Sequence, residues 1–249
     1  MEIALYPLSL LVGGLGAWVV SRWGPAFGVL DRASHRSSHD GVVPKGGGVG
    51  ILAAFFLAAW LLSLPTLLWL CVGVVSVTGL CADRREVTPK LRLVIEFLAG
   101  IGSLVGLFYW QGRGWPAYLL IPLLAVFIVG TANYYNFMDG INGIAGLAGV
   151  VGFGLVACFA ALAKGREPWV VLATCMGLAC AGFLPFNIPK ARVFMGDVGS
   201  ILLGFVFGGL VVGLSHSLND FLVLCGFLFP FYADELTTAE CFNLVDQIL

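Results

Sequence analysis

The chain alternates long apolar stretches with short polar ones. Nine stretches approach the roughly 17 to 25 apolar residues that let a helix cross a bilayer. By residue number they are 3–21, two within 46–82 with Ser63 and Pro65 marking the turn, 93–110, 114–138, 140–163, 169–185, 198–219 and 221–236. Because lipid satisfies no backbone hydrogen bonds, each stretch is expected to be helical. The pattern predicts an all-α, polytopic transmembrane helical bundle of about nine spans.

The composition supports a membrane protein and argues against other classes. Hydrophobic residues make up 59% of the 249 residues and charged residues only 11%, against about 25% charged in a soluble domain. The 34 glycines fit helices that pack closely through small residues. The seven cysteines form no CxxC pair and are interpreted as small packing residues. A net charge of −1 argues against a nucleic-acid partner.

The basic residues are divided unevenly between the two sides of the predicted bundle. Consecutive spans alternate sides, so the connecting segments form two groups. One group carries ten of the thirteen Lys and Arg residues, and the other carries only Arg113, Lys164 and Arg166. Because cytoplasmic loops are enriched in Lys and Arg, the N-terminus is expected outside. The polar loops 31–48, 83–92, 133–143 and 187–200 then share the cytoplasmic side and are expected to form one site.

Three aspartates are the strongest candidates for chemistry. Asp83, Asp139 and Asp197 each lie within a few residues of an apolar span, where an unpaired carboxylate is costly. An interhelical hydrogen bond would explain one such residue, but three that converge on one face indicate a functional site. Their oxygens suit Mg²⁺, which proteins usually hold with one or two carboxylates together with substrate phosphates.

The segments around these aspartates are rich in glycine and amides. Gly196 and Gly199 are expected to let the backbone approach a ligand, next to a helix start that favours anions. In "NYYNFMDGINGIAG", residues 133–146, the asparagines are interpreted as sugar or nucleotide contacts, with helix capping as the alternative.

The first polar loop mixes basic residues with a triple glycine. In "DRASHRSSHDGVVPKGGGVG", residues 31–50, the basic side chains include Arg36, His39 and Lys45. They suit phosphate, although anchoring at lipid headgroups explains the charge equally well. A zinc pair at His35 and His39 is disfavoured because no third nitrogen or sulfur ligand lies nearby.

Four segments together resemble one known family, the polyprenyl-phosphate N-acetylhexosamine-1-phosphate transferases (glycosyltransferase family 4), relatives of the phospho-MurNAc-pentapeptide translocase. The segments are "RSSHDGVVPKGGGVGI", "GLCADRR", "NYYNFMDGINGIAG" and "FNIPKARVFMGDVGS". Their order and common side make the resemblance specific, and it covers about residues 1–238, interpreted as a single membrane domain.

The resemblance implies roles for individual residues. Asp83, Asp139 and Asp197 are the implied catalytic carboxylates, and Asp197 and Asp139 the implied ligands of Mg²⁺, with Mn²⁺ as an alternative ion. Phe194 lies where the family stacks the uracil ring of a UDP-sugar. The other implied substrate-binding residues are Asn136, Asn142, Asn187, Arg36, His39 and Lys45.

The resemblance also implies an activity and a location. The family moves a sugar 1-phosphate from a UDP-N-acetylhexosamine onto undecaprenyl phosphate and releases UMP, in cell-envelope polysaccharide synthesis. The location implied is the bacterial inner (plasma) membrane, with a cytoplasmic active face. The "RSSH" and "YNFMDGI" segments lean towards the O-antigen and capsule branch, while the sugar itself and a homodimer both remain open.

The sequence departs from the family pattern at three places. Ala82 replaces the first of two adjacent aspartates, and Asn142 replaces the second Asp of an Asp-Gly-x-Asp-Gly motif. After "PFYADELTT" the sequence closes with "AECFNLVDQIL", residues 239–249, where the family continues into a histidine-containing loop and a last helix. From these departures we expect a family fold with weakened or lost activity.

Three functions therefore stand as alternatives. The first is a membrane glycosyl-1-phosphate transferase. The second is a non-catalytic remnant that binds UDP-sugar or lipid phosphate. The third is a transporter, which also uses intramembrane carboxylates, but the polar residues gather at one face here and not at the bilayer midplane.

Overall fold

The computed structural model describes residues 2–24, 30–32, 42–84, 87–163, 167–229 and 232. Within these residues the chain forms ten α-helices and one short antiparallel hairpin. In chain order the elements are α1 (Glu2–Trp23), β1 (Leu30–Arg32), β2 (Val42–Pro44), α2 (Val49–Leu61), α3 (Thr66–Ala82), α4 (Pro89–Trp110), α5 (Trp115–Tyr118), α6 (Ile121–Phe137), α7 (Ile144–Leu162), α8 (Glu167–Asn187), α9 (Asp197–Leu214) and α10 (Leu218–Gly226).

Helix ends follow local sequence signals. Thr88 caps α4, its hydroxyl accepting from the Leu91 N–H at 3.4 Å, and proline occupies the first helical turn, where its missing N–H costs nothing. A reciprocal capping box formed by Ser217 and Asp220 begins α10. The predicted turn between α2 and α3 is confirmed, with Ser63 at φ +52°.

The membrane character of the fold is clear, although the number of crossings stays a prediction. In the described part of the chain, five helices are long and apolar enough to span a bilayer, namely α1, α4, α7, α8 and α9. Three further apolar helices there, α2, α3 and α6, are shorter. The predicted span 114–138 is divided into α5 and α6. The outside position of the N-terminus is likewise untested.

One departure from an all-helical chain lies in the first polar loop. Strands β1 and β2 pair in antiparallel register, with Leu30 opposite Pro44 and Arg32 opposite Val42. This hairpin leads directly into the triple glycine before α2. It therefore sets the path by which the first loop enters the bundle.

Helix α9 is the centre of the packing. All but two of its residues are buried, and it contacts α2, α3, α4, α6, α7 and α8. Helix α1 packs on α8 at very short distance, because a Cβ added at Gly13 or Gly182 would strike the backbone of the other helix. This contact confirms the prediction of close packing through small residues.

The two ends of the bundle differ in chemistry. At one end, defined here as the site end, lie the segments 42–48, 83–84, 87–88, 138–143 and 188–196. At the opposite end, Gln111 donates to the Gly213 carbonyl at 2.8 Å and Arg113 donates to the Ser215 carbonyl at 3.2 Å. The three candidate aspartates are all at the site end.

Candidate functional site

Backbone hydrogen bonds join the first and last polar loops. The Phe194 N–H donates to the Pro44 carbonyl at 2.8 Å, and the Gly47 N–H donates back to the Phe194 carbonyl at 2.9 Å. Gly48 donates to the Met195 carbonyl at 2.9 Å. These bonds hold the main chain at Lys45 beside the main chain at Phe194. Both residues are predicted to bind substrate.

The glycines of these loops make room for the chain itself. A Cβ at Gly48 would lie 2.7 Å from the Gly199 nitrogen, and a Cβ at Gly196 would lie 2.6 Å from the Asp83 carboxylate. Gly196 also has φ +74°, a conformation that favours glycine. Protein atoms therefore occupy the space that a side chain at Gly196 or Gly199 would fill, and close approach of a ligand to this backbone stays a prediction.

Asp83 ends α3 and lies beside the start of α9. Its carboxylate is close to the main-chain N–H groups of Asp197 and Val198, the kind of position where a helix N-terminus favours negative charge. Its Oδ2 atom is buried and has no hydrogen-bond partner among the described residues. Burial and then the charge of Asp197 raise the pKa of Asp83 to about 6, while Lys45 and the two N–H groups oppose the rise.

Asp139 lies in the loop between α6 and α7 and is coupled to the same group. Burial, followed by the charges of Asp197 and Asp83, raises the pKa of Asp139 well above its ordinary value. Lys45 opposes this rise as well. The predicted convergence of the three aspartates is therefore observed, and the structure adds Lys45 to them.

An arginine that the sequence analysis counted only as a basic charge contacts Asp197 directly. Arg92 NH1 lies 2.6 Å from Asp197 Oδ2, and Arg92 Nε lies 3.0 Å from Glu96 Oε1. The Asn133 amide donates to Glu96 Oε2 at 2.6 Å. Glu96 lies four residues after Arg92, and this spacing places both side chains on one face of the helix.

Asn136 completes the contacts around Asp197. In the amide orientation that satisfies both of its ends, Asn136 donates to Asp197 Oδ1 at 3.3 Å and to the Ser200 hydroxyl. Its oxygen then accepts from Arg92 NH2 at 3.1 Å. Asn136 is thus one hydrogen bond from the carboxylate predicted to hold the metal.

Asn187 is placed between two loops of the site. Its Oδ1 accepts from the Gly143 N–H at 2.6 Å, and its Nδ2 donates to the Val193 carbonyl at 3.0 Å. The side chain is 4% exposed. The structure gives Asn187 a positioning role, and direct contact with substrate stays a prediction.

Of the four other predicted substrate-binding residues, two lie within the described part of the chain and two lie outside it. Phe194 and Asn142 are both partly exposed at the site end. Arg36 and His39 lie outside the described residues. Roles for all four in binding stay predictions.

The donor set fits a magnesium ion held together with a ligand. Within the described part of the chain, no three Asp, Glu, His or Cys side chains form a ready-made metal cage. Mg²⁺ seldom needs one, because it commonly takes one or two carboxylates and completes its shell with phosphate and water. The charge of each neighbouring aspartate disfavours ionisation of Asp83 and Asp139. A divalent cation would offset this repulsion.

Curated proteins similar to this chain are sugar-phosphate transferases. A probable undecaprenyl-phosphate N-acetylglucosaminyl 1-phosphate transferase of Bacillus subtilis is 28% identical over 239 residues, covering 89% of this chain and 66% of that protein. The undecaprenyl-phosphate alpha-N-acetylglucosaminyl 1-phosphate transferase of Escherichia coli K12 is 27% identical, covering 72% and 53%. A phospho-N-acetylmuramoyl-pentapeptide-transferase of Chlamydia trachomatis is 34% identical, covering 67% and 59%.

The match extends over the site described above. The chain spans between 53% and 66% of the length of these curated relatives. The family model for glycosyl transferase family 4 matches residues 65–215, a segment that contains Asp83, Arg92, Asp139 and Asp197. This match covers more than half of the chain, which therefore belongs to glycosyl transferase family 4.

Proposed function

We propose that this chain transfers a sugar 1-phosphate from a UDP-N-acetylhexosamine to undecaprenyl phosphate and releases UMP, in a Mg²⁺-dependent reaction at the cytoplasmic face of a bacterial inner membrane. The observation that carries the proposal is the cluster of Asp83, Asp139 and Asp197 beside Arg92 and Lys45. The names of the relatives support the lipid substrate.

The reaction is a displacement at phosphorus. An oxygen of the lipid phosphate attacks the phosphorus that bears the sugar, and the bond from that phosphorus to the UMP oxygen breaks. UMP leaves with the electron pair. Both reactants are anions, so positioning and neutralisation of charge supply most of the catalysis.

The side chains divide this work between them. Asp197 and Asp139 would hold Mg²⁺, with Mn²⁺ as an alternative ion, and the ion would neutralise the pyrophosphate charge. Arg92 and Lys45 provide fixed positive charge on either side of the aspartates. The Phe194 ring stacks on the uracil.

Asp83 and Asn136 orient the reacting groups. The Asp83 carboxylate has a buried oxygen without a partner among the described residues, and in the proposal this oxygen orients the lipid phosphate. The Asn136 amide lies beside Asp197, where it contacts the nucleotide and holds Asp197 in place.

Binding without turnover is a second candidate function, favoured by one residue. Ala82 ends α3 next to Asp83, at the position where the family resemblance implies a second carboxylate. If that carboxylate is needed for turnover, the chain binds UDP-sugar or lipid phosphate and transfers nothing.

The test is UMP release by the purified chain in detergent, from UDP-N-acetylglucosamine and undecaprenyl phosphate, with Mg²⁺ or with EDTA. We expect release only with Mg²⁺ and none from Asp197→Ala. Asp220→Asn, which changes a carboxylate at the opposite end of the bundle, is the matched control and should leave release unchanged.

The Ala82→Asp variant separates the two candidate functions. Release from Ala82→Asp but not from the unmodified chain identifies a binding protein that has lost turnover. Release that persists in Asp197→Ala or in EDTA contradicts the metal assignment.

A further inference from the structure

We propose that Glu96 is a positioning residue, which holds the guanidinium of Arg92 against Asp197 so that its terminal nitrogens meet the phosphates of the substrates. This inference rests on the proposed function. It concerns Glu96, a buried acid that the reaction described above does not use.

The burial of Glu96 calls for a physical reason. The residue is 1% exposed and lies within α4, a helix long and apolar enough to cross a membrane. A buried carboxylate costs several kcal/mol unless it is paired and hydrogen bonded. Both of its oxygens have partners, Oε1 with Arg92 and Oε2 with the Asn133 amide. The contacts at this position therefore stabilise a buried carboxylate where an apolar side chain would otherwise pack.

Helix stability does not explain the pair. Arg92 precedes Glu96 by four residues, and an acid that precedes a base is the better order in a helix. Arg92 is also in the first turns of α4, where the helix dipole disfavours a cation. The pair is thus arranged against local helix energetics, which indicates that its purpose lies in tertiary contacts.

The geometry shows what Glu96 does to Arg92. A guanidinium carries one N–H on Nε and two on each terminal nitrogen. Glu96 accepts from Nε at 3.0 Å, and NH1 lies 2.6 Å from Asp197 Oδ2. NH2 lies 3.1 Å from the Asn136 oxygen and 3.4 Å from Asn133 Oδ1. The two terminal nitrogens of Arg92, which form the terminal edge of the guanidinium, therefore face the site. Its Nε is held by Glu96 of the same helix.

That edge is the part of arginine that recognises phosphate. Two terminal nitrogens in one plane match two oxygens of a phosphate. One of them already contacts an anionic group, the Asp197 carboxylate. An arginine fixed in advance loses less side-chain entropy when it binds. Glu96 thus prepares Arg92 for a phosphate that binds beside Asp197.

The test compares Glu96→Gln, Arg92→Gln and the double variant with the unmodified full chain. Glu96→Gln keeps the size of the side chain and removes the charge that fixes Arg92. Ser103→Ala is the matched control, because Ser103 is also buried on α4 and, among the described residues, its hydroxyl donates only to the Gly100 carbonyl of its own helix. The measurements are the affinity for UDP-N-acetylglucosamine by titration in EDTA, kcat and KM for UMP release, and Tm in detergent.

We expect Glu96→Gln to weaken UDP-N-acetylglucosamine binding by about tenfold, because Arg92 loses the charged partner of its Nε and must be ordered when the ligand binds. In the Arg92→Gln background the same change should alter affinity by less than about twofold, because nothing is left to position. A structural role for Glu96 would instead give the same loss in both backgrounds together with a fall in Tm.

Equal affinity of Glu96→Gln and the unmodified chain overturns the inference, and so does an additive loss in the double variant. The affinity titration keeps this failure separate from failure of the proposed function. A chain that binds UDP-N-acetylglucosamine and releases no UMP contradicts turnover alone, whereas a chain that does not bind it contradicts both.

Discussion

Substitution of Asn187 tests whether this polar residue positions two loops of the site or contacts the substrate directly. Replacing it with alanine removes the acceptor for the Gly143 N–H and the donor to the Val193 carbonyl. The side chain is 4% exposed, so water cannot readily replace either bond. The change therefore leaves two buried main-chain groups without partners.

The magnitude follows from the two lost bonds. A buried group left unpaired costs about 1–3 kcal/mol, which gives about 2–6 kcal/mol for Gly143 and Val193 together. At about 2–4 °C per kcal/mol for a domain of this size, Tm should fall by at least about 4 °C. Because the two loops also carry Asp139 and Phe194, affinity for UDP-N-acetylglucosamine should fall as well.

The assay measures Tm in detergent and UDP-N-acetylglucosamine affinity for the same preparations. Gln111→Ala is the control, because it also removes two hydrogen bonds, one donated to the Gly213 carbonyl and one accepted from Arg113 Nε, but at the opposite end of the bundle. It should lower Tm slightly and leave affinity unchanged. If Asn187→Ala loses affinity while its Tm stays within about 1 °C of the unmodified chain, the positioning role is wrong and direct substrate contact is correct.

Three further substitutions test other parts of the site. Phe194→Ala should weaken UDP-N-acetylglucosamine binding by about tenfold, because stacking on a base contributes about 1–3 kcal/mol. An unchanged affinity would contradict the predicted contact between Phe194 and uracil. Gly48→Ala should lower Tm and turnover together, because its Cβ would lie 2.7 Å from the Gly199 nitrogen and overpacking costs about 1–3 kcal/mol. Tyr135→Phe should cost about 1 kcal/mol, seen as a small fall in Tm, because it removes the 2.6 Å hydrogen bond from the phenol to the Ala145 carbonyl.

The helical bundle and the position of the site could be predicted from local features of the sequence. Apolar length indicates which segments form helices, since a backbone in lipid must satisfy its own hydrogen bonds. Motif order placed Asp83, Asp139 and Asp197 at the same end, and the structure brings them together. The hairpin of β1 and β2 was missed because its strands have three residues each, too few for a recognisable alternation.

The partners of each side chain could not be predicted in the same way. Arg92 reads as a positive-inside residue and Asn187 as a substrate contact until the rotation and register of α4, α8 and α9 are known. The sequence also does not show that an added Cβ at Gly196 would meet Asp83 and that one at Gly199 would meet Met195.

The sequence by itself therefore determined the helical segments, the family and the chemical types gathered at the site end. Only the tertiary structure decided that Arg92 contacts Asp197, that Glu96 fixes Arg92, and that Asn187 joins two loops. The physical reason is that helix formation depends on neighbouring residues, while each of these contacts joins groups brought together by the packing of several helices around α9.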